Sequence, residues 1–282
     1  MADLQEQQKR ASDFRNLHSS GKMLLLPNAW DVASARIVEA AGFPAIATTS
    51  GGIAFSLGYP DGQQIPREEM LAVVARIARA VRVPVTADVE AGYGSRPEDS
   101  AQTARAVIEA GAVGLNLEDA PGEAGNPMVE LSQQLERLHA MREAAAAMKV
   151  PLVLNARTEV YLLPPEQQPP KPYDETLRRL TAYRDAGADC VFAPGLRDLV
   201  TIKRLFADLK CPLNILVGPQ SPSIAELKDA GVARVSLGSG PMRASLGVLR
   251  NIAKELTTTG TYESLANAPS YAEMNELLRT ES

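Results

Sequence analysis

The chain is poor in the residues that several large protein classes depend on. Of its 282 residues only 5% are aromatic, and there are two cysteines and two histidines. Two cysteines, Cys190 and Cys211, do not make a disulfide framework, so a disulfide-stapled scaffold is excluded. No apolar run reaches the roughly 18 residues that a membrane-spanning helix needs.

The charge balance and the first residues limit the partners and the compartment. The net charge of −5 argues against nucleic acid and against an anionic membrane surface as partners. The opening stretch MADLQEQQKRASDF is polar and lacks the apolar core of a signal peptide. The expectation is a cytoplasmic protein of ordinary composition, with 45% hydrophobic and 22% charged residues.

Short β-type apolar runs alternate along the chain with longer segments of helical periodicity. Glycine follows alanine at three predicted helix ends, at Gly42, Gly111 and Gly187, as expected of a helix stop. Helical patterns occupy segments such as Met70–Val81 and Ser100–Ala110. The predicted strands are Met23–Leu26, Ala45–Thr49, Pro84–Val89, Val113–Leu117, Leu152–Ala156, Cys190–Ala193, Leu213–Val217 and Arg234–Leu237.

Eight strands with intervening helices predict an α/β fold of the (β/α)8 TIM-barrel type, spanning residues 1–282 as a single domain. An open doubly wound sheet is the alternative, but one open sheet accommodates eight such units poorly. Two helices lie outside the repeat, one over residues 1–20 and one at Tyr271–Leu278. The proline-rich stretch Leu162–Tyr173 predicts a long loop.

Acidic residues stand where two neighbouring predicted strands end, which is where barrel enzymes place their functional groups. Asp88 and Glu90 end the third strand, and Glu118 ends the fourth. Two residues apart on a strand, Asp88 and Glu90 are expected to face the same side. Carboxylates so close repel unless a cation neutralises them, and Mg2+ prefers oxygen ligands. The alternative is that they are surface charges or helix caps.

Two further features at the same barrel mouth suit an acidic substrate. Arg157 ends the fifth strand, and a guanidinium pairs with a carboxylate through two hydrogen bonds. Its alternative role is a structural salt bridge to Glu118 or Glu159. The backbone N–H groups of Ser50–Gly52 are able to bind a carboxylate or oxyanion, although most such triplets are simple turns.

Lysine and histidine are absent from the predicted strand ends, which disfavours some reaction types in the expected chemistry. None of the lysines follows a predicted strand, which disfavours a Schiff-base aldolase. His18 lies near the N-terminus and His139 in a predicted helix, so both are interpreted as structural. Histidine general-base catalysis and a histidine-ligated zinc site are therefore disfavoured.

Several ordered motifs lie within roughly residues 20–250. They are Pro27-Asn28-Ala29-Trp30-Asp31, Ser50-Gly51-Gly52, Leu57-Gly58-Tyr59-Pro60-Asp61, Asp88-Val89-Glu90-Ala91-Gly92-Tyr93-Gly94, Gly114-Leu115-Asn116-Leu117-Glu118-Asp119 and Asn155-Ala156-Arg157-Thr158. With these motifs the chain resembles the isocitrate lyase/phosphoenolpyruvate mutase superfamily. The resemblance implies a shared chemistry that breaks or forms a bond next to a 2-oxo acid through a metal-bound enolate. It also implies dimers or tetramers whose eighth barrel helix swaps between subunits.

The same resemblance implies a role for each site residue. Asp88 would bind Mg2+ (or Mn2+) directly. The waters of the metal would be held by Asp61, Glu90 and Glu118. The pyruvyl carboxylate and oxo group would be bound by Ser50, Gly51, Gly52 and, on the acid side, Arg157.

The chain departs from the lyase branch in three places. Isocitrate and methylisocitrate lyases carry a catalytic cysteine in a Lys-Lys/Arg-Cys-Gly-His loop, where this chain has Asn126 at the cysteine position and Ala124 at the lysine position. A glutamate after their sixth strand is replaced by Pro194-Gly195, and an Asn-x-Thr-Glu motif by Leu216–Pro219. Asn126 is therefore a candidate catalytic contact to the substrate or, alternatively, a loop residue before Pro127.

Three functions follow from this pattern. The first is a Mg-dependent lyase that cleaves a C–C bond in a small 2-oxo or 2-hydroxy acid, by oxaloacetate-type decarboxylation or by retro-aldol cleavage. The second is mutase or hydrolase chemistry on the C–P bond of phosphonopyruvate, which Asn126 favours and the missing lysine opposes. The third is a protein that binds 2-oxo acids with little catalysis.

Overall fold

A computed structural model describes residues 4–121 and 126–279 of the chain and confirms the barrel. Its parallel strands are β1 (Leu24–Leu26), β2 (Asn28–Ala29), β3 (Ile46–Thr48), β4 (Val85–Asp88), β5 (Gly114–Glu118), β6 (Val153–Arg157), β7 (Cys190–Phe192), β8 (Leu213–Leu216) and β9 (Arg234–Ser236).

The helices of the described residues alternate with these strands. They are α1 (Leu4–Ser19), α2 (Val32–Ala40), α3 (Ser50–Ser56), α4 (Arg67–Ala80), α5 (Pro97–Glu109), α6 (Leu131–Ala147), α7 (Pro172–Asp185), α8 (Leu199–Leu209), α9 (Ile224–Asp229), α10 (Gly240–Thr258) and α11 (Tyr271–Leu278), with short 3-10 helices at Pro165–Gln167 and Glu263–Leu265.

The sheet closes because a short second strand, β2, follows the first predicted strand directly after Pro27. Before Pro27, β1 pairs with β9, and after it, β2 pairs with β3. A proline has no backbone N–H for the ladder, so the chain changes partner there. Because β1 and β2 follow one another, the two ends of the strand order meet and complete the barrel.

Helix boundaries differ from the sequence pattern where proline sets them. The helix predicted from Met70 begins at Arg67, directly after Pro66, and the helix predicted from Ser100 begins with Pro97 in its first turn. The predicted loop at residues 162–173 is shorter than expected, because α7 already begins at Pro172. An apolar pattern marks only the buried part of a helix, so it does not predict the polar first turn.

The predicted glycine stops are confirmed by the backbone. Gly42, Gly111 and Gly187 adopt φ angles of +85°, +90° and +94°, a region that favours glycine. Each N–H donates back into the preceding helix at 2.9 Å. The repeated stop returns the chain to the start of the next strand, so all strands point the same way.

The terminal helices occupy different places on the barrel. The ring of Phe14 on α1 is fully buried and packs at Gly114, where a Cβ atom would lie 2.8 Å from Phe14 Cε1. The start of β5 is therefore covered by α1. The C-terminal α11 lies against α2, with the guanidinium of Arg36 donating to the Leu277 carbonyl at 2.9 Å. Within the described ranges no helix has the length and hydropathy needed to cross a bilayer.

Candidate active site

A cavity of about 230 Å3 lies where the barrel strands end, as the fold predicts. A larger groove of about 670 Å3 lies beside α1, but its lining is mostly apolar and holds no carboxylate. Convergent polar groups mark the smaller cavity as the candidate site. Its lining includes Asn28, Thr49, Ser50, Gly51, Asp61, Asp88, Asn116, Arg157, Phe192, Ser236 and Ser239.

Asp88, the last residue of β4, is buried with half of its carboxylate satisfied. Its Oδ2 accepts from the N–H and the hydroxyl of Ser50, at 3.2 and 2.9 Å. Its own N–H donates to Thr48 Oγ1 at 3.0 Å, which fixes the end of the strand. Oδ1 is buried and has no hydrogen-bond partner among the described residues. A buried anionic oxygen without a donor is costly, so this atom is suited to a cation.

Glu90 lies in a turn after β4. The prediction that Asp88 and Glu90 face the same side because both belong to one strand was therefore wrong. The strand ends at Asp88, and Glu90 has a φ of +50°. Its Oε2 accepts from the Gln63 N–H, and its Oε1 has no partner in the described chain. Burial and the charges of Asp88 and Asp61 raise the pKa of Glu90 to about 7. Glu90 therefore stands in a negative field that a cation would relieve.

Arg157, at the end of β6, is held between two carboxylates. Its Nη1 lies 3.0 Å from Glu118 Oε2, and its Nε donates to Glu159. Burial alone would lower the pKa of Arg157, but the two carboxylates raise it above its ordinary value, so the group stays charged. Burial raises the pKa of Glu118 well above its ordinary value, against the opposing effect of Arg157. The structural salt bridges are thus present, while Arg157 also lines the cavity.

The Ser50–Gly52 segment forms the first turn of α3 rather than an open turn. Thr49 caps this helix, with its Oγ1 accepting from the Gly52 N–H at 3.3 Å. Both donors of Ser50 are engaged by Asp88 rather than left for a ligand. A Cβ at Gly51 would lie 3.0 Å from Asp61 Oδ2, so glycine is needed for the Asp61 loop to approach. Burial and the nearby Asp88 raise the pKa of Asp61.

The structure does not bring Asn126 into the cavity. Asn126 is exposed, and its amide donates to Glu130 Oε1 at 2.9 Å, while its oxygen accepts from the Met128 N–H at 3.2 Å. Residues 122–125 of the same loop, including the predicted substitution at Ala124, lie outside the described residues. The substrate role of Asn126 stays a prediction.

The donor set fits one divalent cation bound directly by Asp88, with waters between the ion and the other acids. No group of three or more acidic, histidine or cysteine side chains in residues 4–121 and 126–279 is close enough to bind an ion directly. The unpartnered oxygens of Asp88 and Glu90 are nevertheless buried beside each other's charge. Mg2+ commonly keeps most of its waters in such sites.

Sequence reasoning assigned no role to two asparagines of the cavity, Asn28 and Asn116, although both stand in the quoted motifs. Asn116 lies beside Asp88 in the register of β4 and β5. Strand alternation from Glu118 would have placed it on the inner face, but an uncharged amide drew no attention. Asn28 accepts from the N–H groups of Leu237 and Gly238, each at 2.8 Å, and donates to the Thr48 carbonyl at 2.8 Å. Asn28 therefore joins β2 to the loop after β9.

Comparison with known proteins agrees with the family resemblance of the sequence motifs. The sequence model described as phosphoenolpyruvate phosphomutase matches residues 14–257. An oxaloacetate decarboxylase of Chromohalobacter salexigens is 30% identical over 242 residues, covering 83% of this chain and 81% of the relative.

Two solved structures extend the similarity. A Burkholderia cenocepacia J2315 protein, provisionally named a lyase/mutase, matches with a TM-score of 0.90, 39% identity and 98% of both chains. An oxaloacetate acetylhydrolase in complex with its product oxalate matches with a TM-score of 0.84 and 25% identity, covering 95% of this chain and 93% of that one.

Proposed function

The chain is an enzyme of the phosphoenolpyruvate phosphomutase family, within the isocitrate lyase/phosphoenolpyruvate mutase superfamily, and from that premise we propose a Mg-dependent lyase. It cleaves a C–C bond next to the carbonyl or hydroxyl carbon of a small 2-oxo or 2-hydroxy acid. The observation that carries the proposal is the buried Oδ1 of Asp88, which has no partner in the described part of the chain, in a cavity that Arg157 also lines.

The metal proposal assigns the acids of the site to two roles. Asp88 binds Mg2+ or Mn2+ directly, and the waters of the ion are held by Asp61, Glu90 and Glu118. When bound, such an ion acts as a Lewis acid toward the oxygen on which negative charge develops as the C–C bond breaks. The two hydrogen bonds from Ser50 fix Asp88 Oδ2 and leave Oδ1 as the ligand atom.

The substrate proposal rests on charge and size. Arg157 is the cation of the cavity wall that is able to pair with a substrate carboxylate. A cavity of about 230 Å3 is small compared with drug-sized pockets, so it suits an acid of a few carbon atoms. Ser50 and Gly51 line the cavity and are assigned, with the adjacent Gly52, to the carboxylate end of the substrate, and Asn126 is the candidate contact from the chain after β5.

Among the two C–C reactions, the lining favours decarboxylation. Retro-aldol cleavage needs a base that removes the hydroxyl proton of the substrate, whereas loss of CO2 from a 2-oxo acid removes no proton. The described lining of the cavity includes no cysteine, lysine or histidine, and the proposal assigns its carboxylates, Asp61 and Asp88, to the ion rather than to proton transfer. His18 is buried on α1 and His139 is exposed on α6. Both histidines are therefore outside the site.

The test is a substrate screen with the purified protein. Oxaloacetate, a 2-hydroxy diacid and phosphonopyruvate are assayed with Mg2+, with EDTA, and after Mg2+ is restored. We expect oxaloacetate turnover that EDTA abolishes and Mg2+ recovers. Full turnover in excess EDTA would refute the metal role, and phosphate release from phosphonopyruvate alone would indicate C–P chemistry. Mg2+-dependent oxalate binding without any turnover would indicate a binding protein.

We also propose that the protein assembles into a dimer or tetramer in which α10 packs on a second copy. Met242 is the one buried residue of α10, while Leu246, Leu249 and Leu256 are 45%, 59% and 52% exposed. Exposed leucines in one helix are typical of an interface. Light scattering on the wild type and on L249E is the measurement. We expect an oligomer that the glutamate dissociates, and a monomeric wild type would contradict the proposal.

A further inference from the structure

A fully buried arginine lies in the interior of the barrel beneath the candidate site. Arg234, the first residue of β9, is 0% exposed. Barrel interiors are usually filled by branched apolar side chains. No carboxylate of the described residues is within 4.0 Å of Arg234, and its Nε and Nη1 have no hydrogen-bond partner there. A buried cation without a counter-ion is costly, so its retention calls for a reason.

The hydrogen bond that Arg234 does make leads to the floor of the cavity. Its Nη2 donates to Asn116 Oδ1 at 3.4 Å, and Asn155 Nδ2 donates to the same oxygen at 2.7 Å. Two donors on one carbonyl oxygen fix the orientation of the amide, because a flipped amide would set its own N–H groups against them. The Nδ2 of Asn116 is therefore the atom left for a ligand in the cavity that Asn116 lines.

The position of Asn116 makes this donor useful. Asn116 is the register neighbour of Asp88 and lines the same cavity as Arg157. The acids of this region attract a cation but repel an anionic substrate. A fixed N–H donor on the floor, with a guanidinium below it, offsets that repulsion at the point where a substrate carboxylate meets the site.

From this geometry we propose that Arg234 is a positioning residue for the anionic substrate, acting through Asn116. It holds the Asn116 oxygen from below, turns the amide N–H groups toward the cavity, and supplies positive charge beneath them. The ligand class is the carboxylate of a small 2-oxo acid, so the inference rests on the proposed function. A purely structural role for Arg234 would make no distinction between anion and metal affinity.

The experiment measures two affinities by calorimetry in the wild type, R234M and R234K: Mn2+ alone, and oxalate at saturating Mn2+. Oxalate is the probe because it mimics the planar enolate of a 2-oxo acid. We expect R234M to weaken oxalate binding by about tenfold or more, while Mn2+ binding is unchanged or tighter because a nearby positive charge is gone. R234K keeps the charge and should recover most of the oxalate affinity.

Two further variants keep the test decisive. N116L removes the amide itself and should lose oxalate affinity to the same extent even if R234M does not fold. N214L is the matched control, because Asn214 is equally buried and pairs with Arg234 in the register of β8 and β9 but bonds to Ser236 instead of Asn116. N214L should change both affinities by less than about twofold.

The outcomes separate this inference from the proposed function. Equal losses of Mn2+ and oxalate affinity in R234M, or no change in either, would overturn the role of Arg234 while the proposed function stands. A wild-type protein that binds neither Mn2+ nor oxalate would overturn the proposed function and this inference together.

Discussion

Two aspartates at the barrel mouth, Asp88 and Asp119, are both buried but differ in how their oxygens are satisfied. Asp119 is 0% exposed, and its carboxylate accepts from Thr158 Oγ1 (2.7 Å), Arg179 Nη1 (3.1 Å), Tyr183 OH (2.7 Å) and the Glu159 N–H (2.9 Å). Among the residues that the structure describes, Asp88 has one donor residue, on one oxygen. The saturated carboxylate anchors the structure, and the unsaturated one is left for a ligand.

The surroundings of the two residues agree with this division. Arg179 also donates to the Val129 carbonyl at 2.9 Å, and the Val129 N–H donates to the Asp119 carbonyl at 2.7 Å. Asp119 therefore ties α7 and the chain after the 122–125 segment to the end of β5. Around Asp88 the acids repel one another, as the raised pKa of Glu90 records. Stability and function are thus carried by different carboxylates a short distance apart.

The largest expected effect comes from Asp88→Asn. The amide keeps the shape of the side chain but cannot supply the anionic ligand atom. Turnover of the substrate found in the screen should fall by at least about 1,000-fold, equivalent to about 4 kcal/mol in the barrier. The free energy of unfolding should stay the same or rise, because a buried charge is removed. Steady-state kinetics and urea unfolding on one preparation give both numbers, and turnover within tenfold of wild type would contradict the assignment.

Asp119→Asn should have the opposite profile. It leaves the buried Arg179 without its charged partner and sets an amide N–H against a donor. The unfolding free energy should fall by about 3–4 kcal/mol, as for other broken buried ion pairs. Turnover per folded molecule should change far less than in Asp88→Asn. A fully stable but inactive Asp119→Asn protein would reverse the two roles.

His18 lies outside the barrel mouth, and its titration should change the stability of the protein without changing the site. Burial, helped by the nearby Arg234, lowers the pKa of His18 to about 4. The unfolded chain has the ordinary value of about 6.5, so it binds a proton first as the pH falls. Between about pH 6.5 and about pH 4 the wild type should lose up to about 3 kcal/mol of stability through this group.

The measurement for His18 is the unfolding free energy against pH in the wild type and in His18→Gln. The variant should have a flatter profile over the window from about pH 6.5 to about pH 4. Because His18 does not line the cavity, Mg2+ affinity at neutral pH should be unchanged. Parallel pH profiles for the two proteins would show that His18 is not the titrating group.

The smallest effects are expected when one hydrogen-bond donor is removed from each aspartate. Tyr183→Phe removes a single hydrogen bond to Asp119 and should cost about 2 kcal/mol of stability with little effect on turnover. Ser50→Ala removes the hydroxyl that bonds Asp88 and should lower turnover more than stability. Thermal unfolding and kinetics on both variants suffice. If Ser50→Ala is the more destabilised and the more active of the pair, the proposed division between the two sites is wrong.

The sequence predicted the parts of this molecule that follow from periodicity. Eight apolar runs and glycine stops such as Gly111 predicted the barrel, and strand ends predicted that Asp88, Glu118 and Arg157 would meet. The short strand β2 and the change of pairing partner at Pro27 were not predicted, because they depend on β3 and β9 being in place.

Other parts of the site depend on tertiary contacts that no local pattern encodes. Glu90 was expected by strand alternation but arrives through a left-handed turn, which the Gln63 N–H supports. The engagement of Ser50 by Asp88 was hidden for the same reason, since the two residues are far apart in the chain. Asn116 and Arg234 were missed because a buried amide and an interior arginine become visible only when their neighbours are known.

The most direct test of the account is a crystal structure with Mn2+ and oxalate, in which the ion is located by its anomalous signal. The account predicts one strong peak in the cavity, about 2 Å from Asp88 Oδ1 and bridged by waters to Glu90 and Glu118. A peak bound elsewhere, or none at saturating Mn2+, would contradict it.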